Sequence, residues 1–351
     1  MFDSVTTPVQ TVPSALACLP VKAASNTLFR HTKRESWGLS IILRKLDDRV
    51  KMQFQDGRIR TFKDGYYHLL DAVDRPLDVS RSVIRALAAM NDELAARAED
   101  NGTAVSMEEQ QAYFRELFGQ GFQDEEYASH HRGDGRKRPL KRHRDAVVEK
   151  ADALTRDKLR AMLKAEDYAG IHTAAGKVIA MTDLVTAKDR KAFAAMDEAH
   201  FEDFAHSLHA MLFGQSKLAI RFDAYCRMLE RTVGKSPSWG LATVLLGTTS
   251  PKEHVAVRTK VHSLQARWMA PGLAVSDHPM GLLYERLVQM TKAVEERLTD
   301  NGFAPRDFLD VTDFMWATLR PKAQKRIEQM RHEMRMDEPA MAETPAIVVA
   351  A

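Results

Sequence analysis

An α+β fold is expected, with a small β-unit near the N-terminus and a larger all-α region behind it. Two observations predict it. Between Arg49 and Leu70 the chain reads RVKMQFQDGRIRTFKDGYYHLL, in which Val50, Met52 and Phe54 alternate with Lys51, Gln53 and Gln55. A period of two is the mark of a strand with distinct faces. From about Leu77 onward, apolar residues instead return every three or four positions, the period of helices packed on one side.

At 351 residues the chain is long for one core, so several units are expected. Residues 1–26 carry Asp3, no cationic start, and prolines at 8, 13 and 20. They read as a disordered arm and make a poor signal peptide. Residues 27–75 form the β-unit. The run WGLSIILRKLDD is apolar and β-rich, Asp56-Gly57 is a hairpin turn, RIRTF is the return strand, and Lys63-Asp64-Gly65 marks a second turn. An isolated ribbon of this kind is not stable, whereas two such hairpins suit a five-stranded SH3/Tudor-like β-barrel.

Residues 76–128 read as a helical connector. Ser80 is the expected N-cap of a helix rich in Ala, Leu and Arg, and Ser106 with Glu109 forms a capping box for the next. Residues 129–150 combine a dense run of cations with two glycines and a proline, so a basic flexible linker is expected there. Residues 151–336 read as an all-α domain. Phe201, Phe204, Leu208, Met211 and Leu212 make one helical stripe closed by Gly214, and SWGLATVLLGTT is apolar all round, which places it at the centre of the core. Residues 337–351 have the composition of a disordered tail.

Charge points to a partner. Between Ser129 and Arg144 lie Arg132, Arg136, Lys137, Arg138, Lys141, Arg142 and Arg144 against the single acid Asp134. That segment carries +6 of an overall +3, so the rest of the chain sums to −3. Such a segment can neutralise phosphates and release counterions, giving salt-sensitive affinity without sequence preference. The β-unit adds Arg58, Arg60 and Lys63 with Tyr66, a mixture of cations and an aromatic ring suited to nucleic acid. Trp37, Phe54 and Phe62 are candidates for docking a protein partner, or else the interior of the barrel itself.

Other chemistry is thinly represented. GIHTAAGKV, from Gly170, has one residue too many between its glycines for a phosphate loop and Val178 where Ser or Thr should hold magnesium. His200, Asp203, His206 and His209 share a helix but lack a second ligand set, so no metal site and no cofactor is expected. Asp307, Asp310 and Asp313 fall on one helical face; either Asp307 favours the first turn while Asp310 and Asp313 face water or pair with an arginine, or the row binds magnesium. Cys18 and Cys226 show no disulfide or zinc spacing, and no apolar run is long enough to span a bilayer. A cytoplasmic protein that does not enter membranes is the expectation.

Trp37 to Phe62 resembles the small Tudor/SH3-like barrels of bacterial transcription and repair proteins, the CarD-like regulators and the C-terminal module of UvrD-type helicases. It shares their tryptophan-glycine strand followed by an aspartate-glycine hairpin, but has Leu39-Ser40 where their pattern places a second glycine. The resemblance implies docking on RNA polymerase or nucleic acid through Trp37, Phe54, Asp56, Gly57, Arg60 and Phe62. Ser236 to Val261, with Pro305 to Trp316, is faintly similar to helical segments of McrB-like restriction-associated proteins, without their motor or nuclease motifs. The expected function is therefore that of a non-enzymatic, DNA-associated accessory protein in transcription, repair or phage defence. One alternative is an adaptor whose barrel docks RNA polymerase or another protein. Another is a metal-dependent nuclease using Asp310 and Asp313 or the His200–His209 cluster.

Overall fold

The computed structural model describes residues 27–73, 77–99 and 104–337. The expected arm, 1–26, and the tail from residue 338 lie outside the described residues. The architecture is α+β. Five strands come first: β1 (Leu28–His31), β2 (Leu39–Lys45), β3 (Arg49–Phe54), β4 (Ile59–Lys63) and β5 (Leu70–Val73). Their order in the sheet is β4-β3-β2-β1-β5, antiparallel throughout. The predicted hairpin turns where Gly57 adopts φ +83°. There the Phe54 N–H donates to the Arg58 carbonyl at 3.0 Å, and the Gly57 N–H donates to the Phe54 carbonyl at 3.0 Å. A short 3₁₀ turn, Tyr67–Leu69, leads into β5, which pairs with β1.

Two expectations for this unit change. The sheet is open, because β4 and β5 are its edges and no ladder joins them. Phe54 and Phe62 are also not displayed. Phe54 and Phe62 pack with Phe29, Val50, Met52, Tyr67 and Leu70 into a buried cluster, against which Trp37 and Ile42 rest. Leu28, Leu39 and Ile41 belong instead to the main core shared with the helices. Gln53, polar in the alternating pattern, is fully buried and reaches Met90 Sδ at 3.7 Å. The Asp56-Gly57 turn is itself seated on the helical body, since the Ala274 N–H donates to the Gly57 carbonyl at 3.1 Å. A side chain on Gly57 would meet Leu273 Cδ1 at 2.6 Å.

The helices follow as α1 (Leu77–Glu99), α2 (Met107–Leu117), α3 (Arg144–Ala151), α4 (Arg156–Lys164), α5 (Tyr168–Ala180) and α6 (Ala187–Ala194). Then come α7 (Phe201–Phe213), α8 (Leu218–Val233), α9 (Trp239–Thr249), α10 (Thr259–Met269), α11 (Gly281–Asp300), α12 (Phe308–Leu319) and α13 (Pro321–Asp337). Helix α1 is already formed at Leu77, ahead of the expected cap at Ser80. The Ser106–Glu109 capping box is made in both directions, at 2.8 and 3.2 Å. Helix α9 is buried on all sides, as its even apolarity requires, and Trp239 Nε1 donates to the Ser276 carbonyl at 2.6 Å. No helix among the described residues is long and apolar enough to cross a membrane.

The expected flexible linker at 129–150 is largely structured. A helical turn at Glu125–Tyr127 continues as a π-turn through Ala128–Arg132, and α3 starts at Arg144. What remains irregular is a loop from Gly133 to His143.

Candidate nucleic-acid interface

The loop is bracketed by two buried arginines, and α12 explains why they are buried. Its N-cap Asp307 accepts from the Leu309 N–H at 2.9 Å, and the three-residue spacing puts Asp307, Asp310 and Asp313 along one face. All three carboxylates are buried. Such groups are stable only when paired and hydrogen-bonded. Arg132, only 2% exposed, donates to Asp307 Oδ1 at 2.7 Å and Oδ2 at 3.0 Å, to Asp310 Oδ1 at 2.7 Å, and to Asp145 Oδ1 at 3.1 Å. Tyr127 donates to the same Asp310 oxygen at 2.6 Å. Arg144, also 2% exposed, clamps Asp313 bidentately at 2.8 and 2.6 Å and reaches Asp183 at 2.6 Å. His131 Nδ1 stands 3.6 Å from Asp313.

The electrostatics follow from these contacts. Burial alone would raise the Asp313 carboxyl, but the Arg144 guanidinium holds it far below the usual carboxylate range. Asp310 goes the other way, because burial outweighs its contacts with Arg132 and Tyr127. Burial also works against both guanidinium charges, yet their carboxylate partners raise them further above the ordinary arginine range. Both arginines therefore stay charged and committed to α12.

The loop between them is held by its own bonds. Gly133 adopts φ +93°. The His143 N–H donates to the Leu140 carbonyl at 2.8 Å, and the Leu140 N–H donates to His143 Nδ1 at 3.0 Å. Arg136 Nε reaches Ser129 Oγ at 2.7 Å and Arg142 Nε reaches the His130 carbonyl at 3.2 Å. The Asp183 N–H donates to the Lys141 carbonyl at 3.1 Å. On this frame Arg136, Lys137, Arg138 and Lys141 are exposed and Arg142 is half-exposed. The loop's acid, Asp134, is taken up by Arg306 at 3.2 Å.

Of the cations named from the sequence, Arg132 and Arg144 are thus corrected from surface contacts to internal pins. Arg60 is a further correction. It forms a bidentate pair with the fully buried Asp56 at 2.8 and 2.6 Å, and its guanidinium lies 3.9 Å from the centre of the Trp37 ring. Arg58, Lys63 and Tyr66 do face solvent around edge strand β4, with Tyr66 58% exposed. Phe54 and Phe62 are interior, and Trp37 is half-buried beneath Arg60. Among the described residues no group of three or more His, Cys, Asp and Glu side chains is arranged to hold a metal ion. His206 and His209 lie against the rings of Tyr168 and Phe213.

Sequence reasoning allowed an arginine partner for Asp310 and Asp313 but missed that Arg132 and Arg144 are the partners, because it placed both among the surface cations. The available signal was a row of three acids on an otherwise apolar helix, which demands buried cations from elsewhere in the chain. No protein-family model, no curated protein and no solved structure matches this chain.

Proposed function

We propose that this is a non-enzymatic, nucleic-acid-associated protein, with duplex DNA as the first partner, which contacts phosphates through the loop from Gly133 to His143. The observation that carries the reading is the division of labour within one basic run. Arg132 and Arg144 are buried and bound to α12, while Arg136, Lys137, Arg138, Lys141 and Arg142 are left facing solvent between them. A pinned loop presents its charges at low entropic cost, because less freedom is lost on binding. The loop carries no aromatic residue other than the buried ring of His143, so it favours backbone contact over base stacking.

The test is binding to unrelated duplexes across a salt series. Replacing the five loop cations by Gln should reduce the slope of log K against log salt by about four to five. An unchanged slope would remove the loop from the interface. The N-terminal sheet makes protein docking a second reading. Its specific support is edge strand β4, whose surroundings expose Arg58, Ile59, Lys63 and Tyr66, a surface on which a partner strand can add. Capture of RNA polymerase that survives nuclease treatment and is lost in Tyr66→Ala would favour that reading. A nuclease site at Asp310 and Asp313 finds no support, since arginine side chains occupy the carboxylates.

A further inference from the structure

The basic loop is apolar in the middle. Arg138 and Lys141 enclose Pro139 and Leu140, all four are exposed, and Leu140 keeps 46% of its surface in water. A lone exposed leucine is ordinary on a protein surface. This one is set apart by how its backbone is held. Its N–H donates to His143 Nδ1 at 3.0 Å, and its carbonyl accepts the His143 N–H at 2.8 Å. His143 is itself buried, and the next carbonyl, that of Lys141, accepts the Asp183 N–H at 3.1 Å. Both backbone groups of the leucine are thus clipped to an interior residue, and the proline before it has a fixed φ. The loop cannot fold back over the side chain without breaking these bonds.

The neighbours select the target. Arg136, Lys137, Arg138 and Lys141 are exposed and Arg142 is half-exposed, so the leucine meets whatever anionic surface these cations attract. Duplex DNA and an anionic bilayer both place apolar material beside negative charge. Attachment to a bilayer takes a large apolar face or lipid chains, and one leucine supplies neither. A base step, by contrast, is opened by a single apolar side chain while cations hold the phosphates around it. We infer that Leu140 is a wedge, which enters the minor groove between two base pairs and bends the duplex toward the major groove. The inference rests on the proposed function, because it requires duplex DNA on the loop. It adds a dependence on DNA deformability to an interface whose charges read no base edge.

The experiment uses the full chain and a short duplex with donor and acceptor dyes at its two ends. Binding is expected to draw the ends together as a bend of about 20–90° would, measured by energy transfer. Leu140→Ala should bind with the same salt slope, since the five cations are untouched, and should leave the duplex straight. Leu140→Met, which returns an apolar side chain of similar reach, should restore the bend. The unaltered chain should also prefer a duplex with a central TA step, which unstacks easily, over a stiff A-tract, and Leu140→Ala should lose that preference. A duplex bound with a steep salt slope but left straight by the unaltered chain, or bent equally by Leu140→Ala, overturns the wedge and keeps the proposed function. A chain that binds no duplex but binds vesicles of anionic phospholipid, more weakly after Leu140→Ala, overturns both.

Discussion

At the scale of single residues, Arg144 and Asp313 form the pair on which the loop's position depends. Each is buried, and the bidentate contact is the main solvation either charge retains. Asp313→Asn leaves a buried guanidinium with only Asp183, so a loss of about 3–5 kcal/mol is expected in urea denaturation. The double replacement Arg144→Met with Asp313→Leu should recover most of it, because two apolar groups need no partner. Full additivity of the single losses would show that the two side chains do not act as a pair. The pH dependence has a definite sign. The folded Asp313 carboxyl titrates far below its unfolded counterpart, so its contribution is complete above about pH 4 and drains away as pH falls below that. Asp310, lifted by burial, opposes this by favouring protonation in the folded state. Asp313→Asn should therefore flatten the acid limb of stability below about pH 4.

At the scale of elements, the loop is built by the segments that end in it. Gly133 joins the π-turn to the loop at φ +93°, with the His143 ring filling the space a side chain would need. Gly133→Ala should cost more than about 1 kcal/mol, since alanine resists positive φ, and should weaken duplex binding by disturbing the displayed cations. Stability lost with binding retained would show that loop geometry does not matter to the interface. The contrast with other elements shows what a sequence can disclose. The Asp56-Gly57 turn, the Ser106–Glu109 box and the all-apolar α9 were legible because each depends on residues within a few positions of one another. The roles of Arg132 and Arg144 were not, because their buried partners on α12 lie more than 160 residues away in the chain. Arg60 was misjudged for a subtler reason. Its partner Asp56 is only four residues distant, but a hairpin turn with an exposed aspartate looks the same in sequence as one with a buried aspartate. Composition marked a basic run over 129–150 but could not say that most of it is structured or which of its cations were already in use.

At the scale of the whole molecule, the question is whether the sheet is an appendage or part of the body. The distribution of its apolar residues decides for the body. One set closes on itself around Phe54, while Leu28, Leu39 and Ile41 complete a core whose other members come from the helices and the segments that join them. The Gly57 turn is fastened to the segment before α11 by the Ala274 hydrogen bond and by contact with Leu273. A sheet held at both places cannot open without exposing core residues of the helices, so the two parts should unfold together. Gly57→Val tests this, because it introduces a side chain at φ +83° against Leu273. The expected loss is more than about 1 kcal/mol, read by native-state hydrogen exchange as an equal fall in protection at Val50 and Met52 in β3 and at Val244 and Leu245 in α9. Protection lost in β3 alone would mean that the sheet opens by itself. The β4 edge would then be a separable docking module, and the adaptor reading would gain at the expense of the phosphate-binding loop.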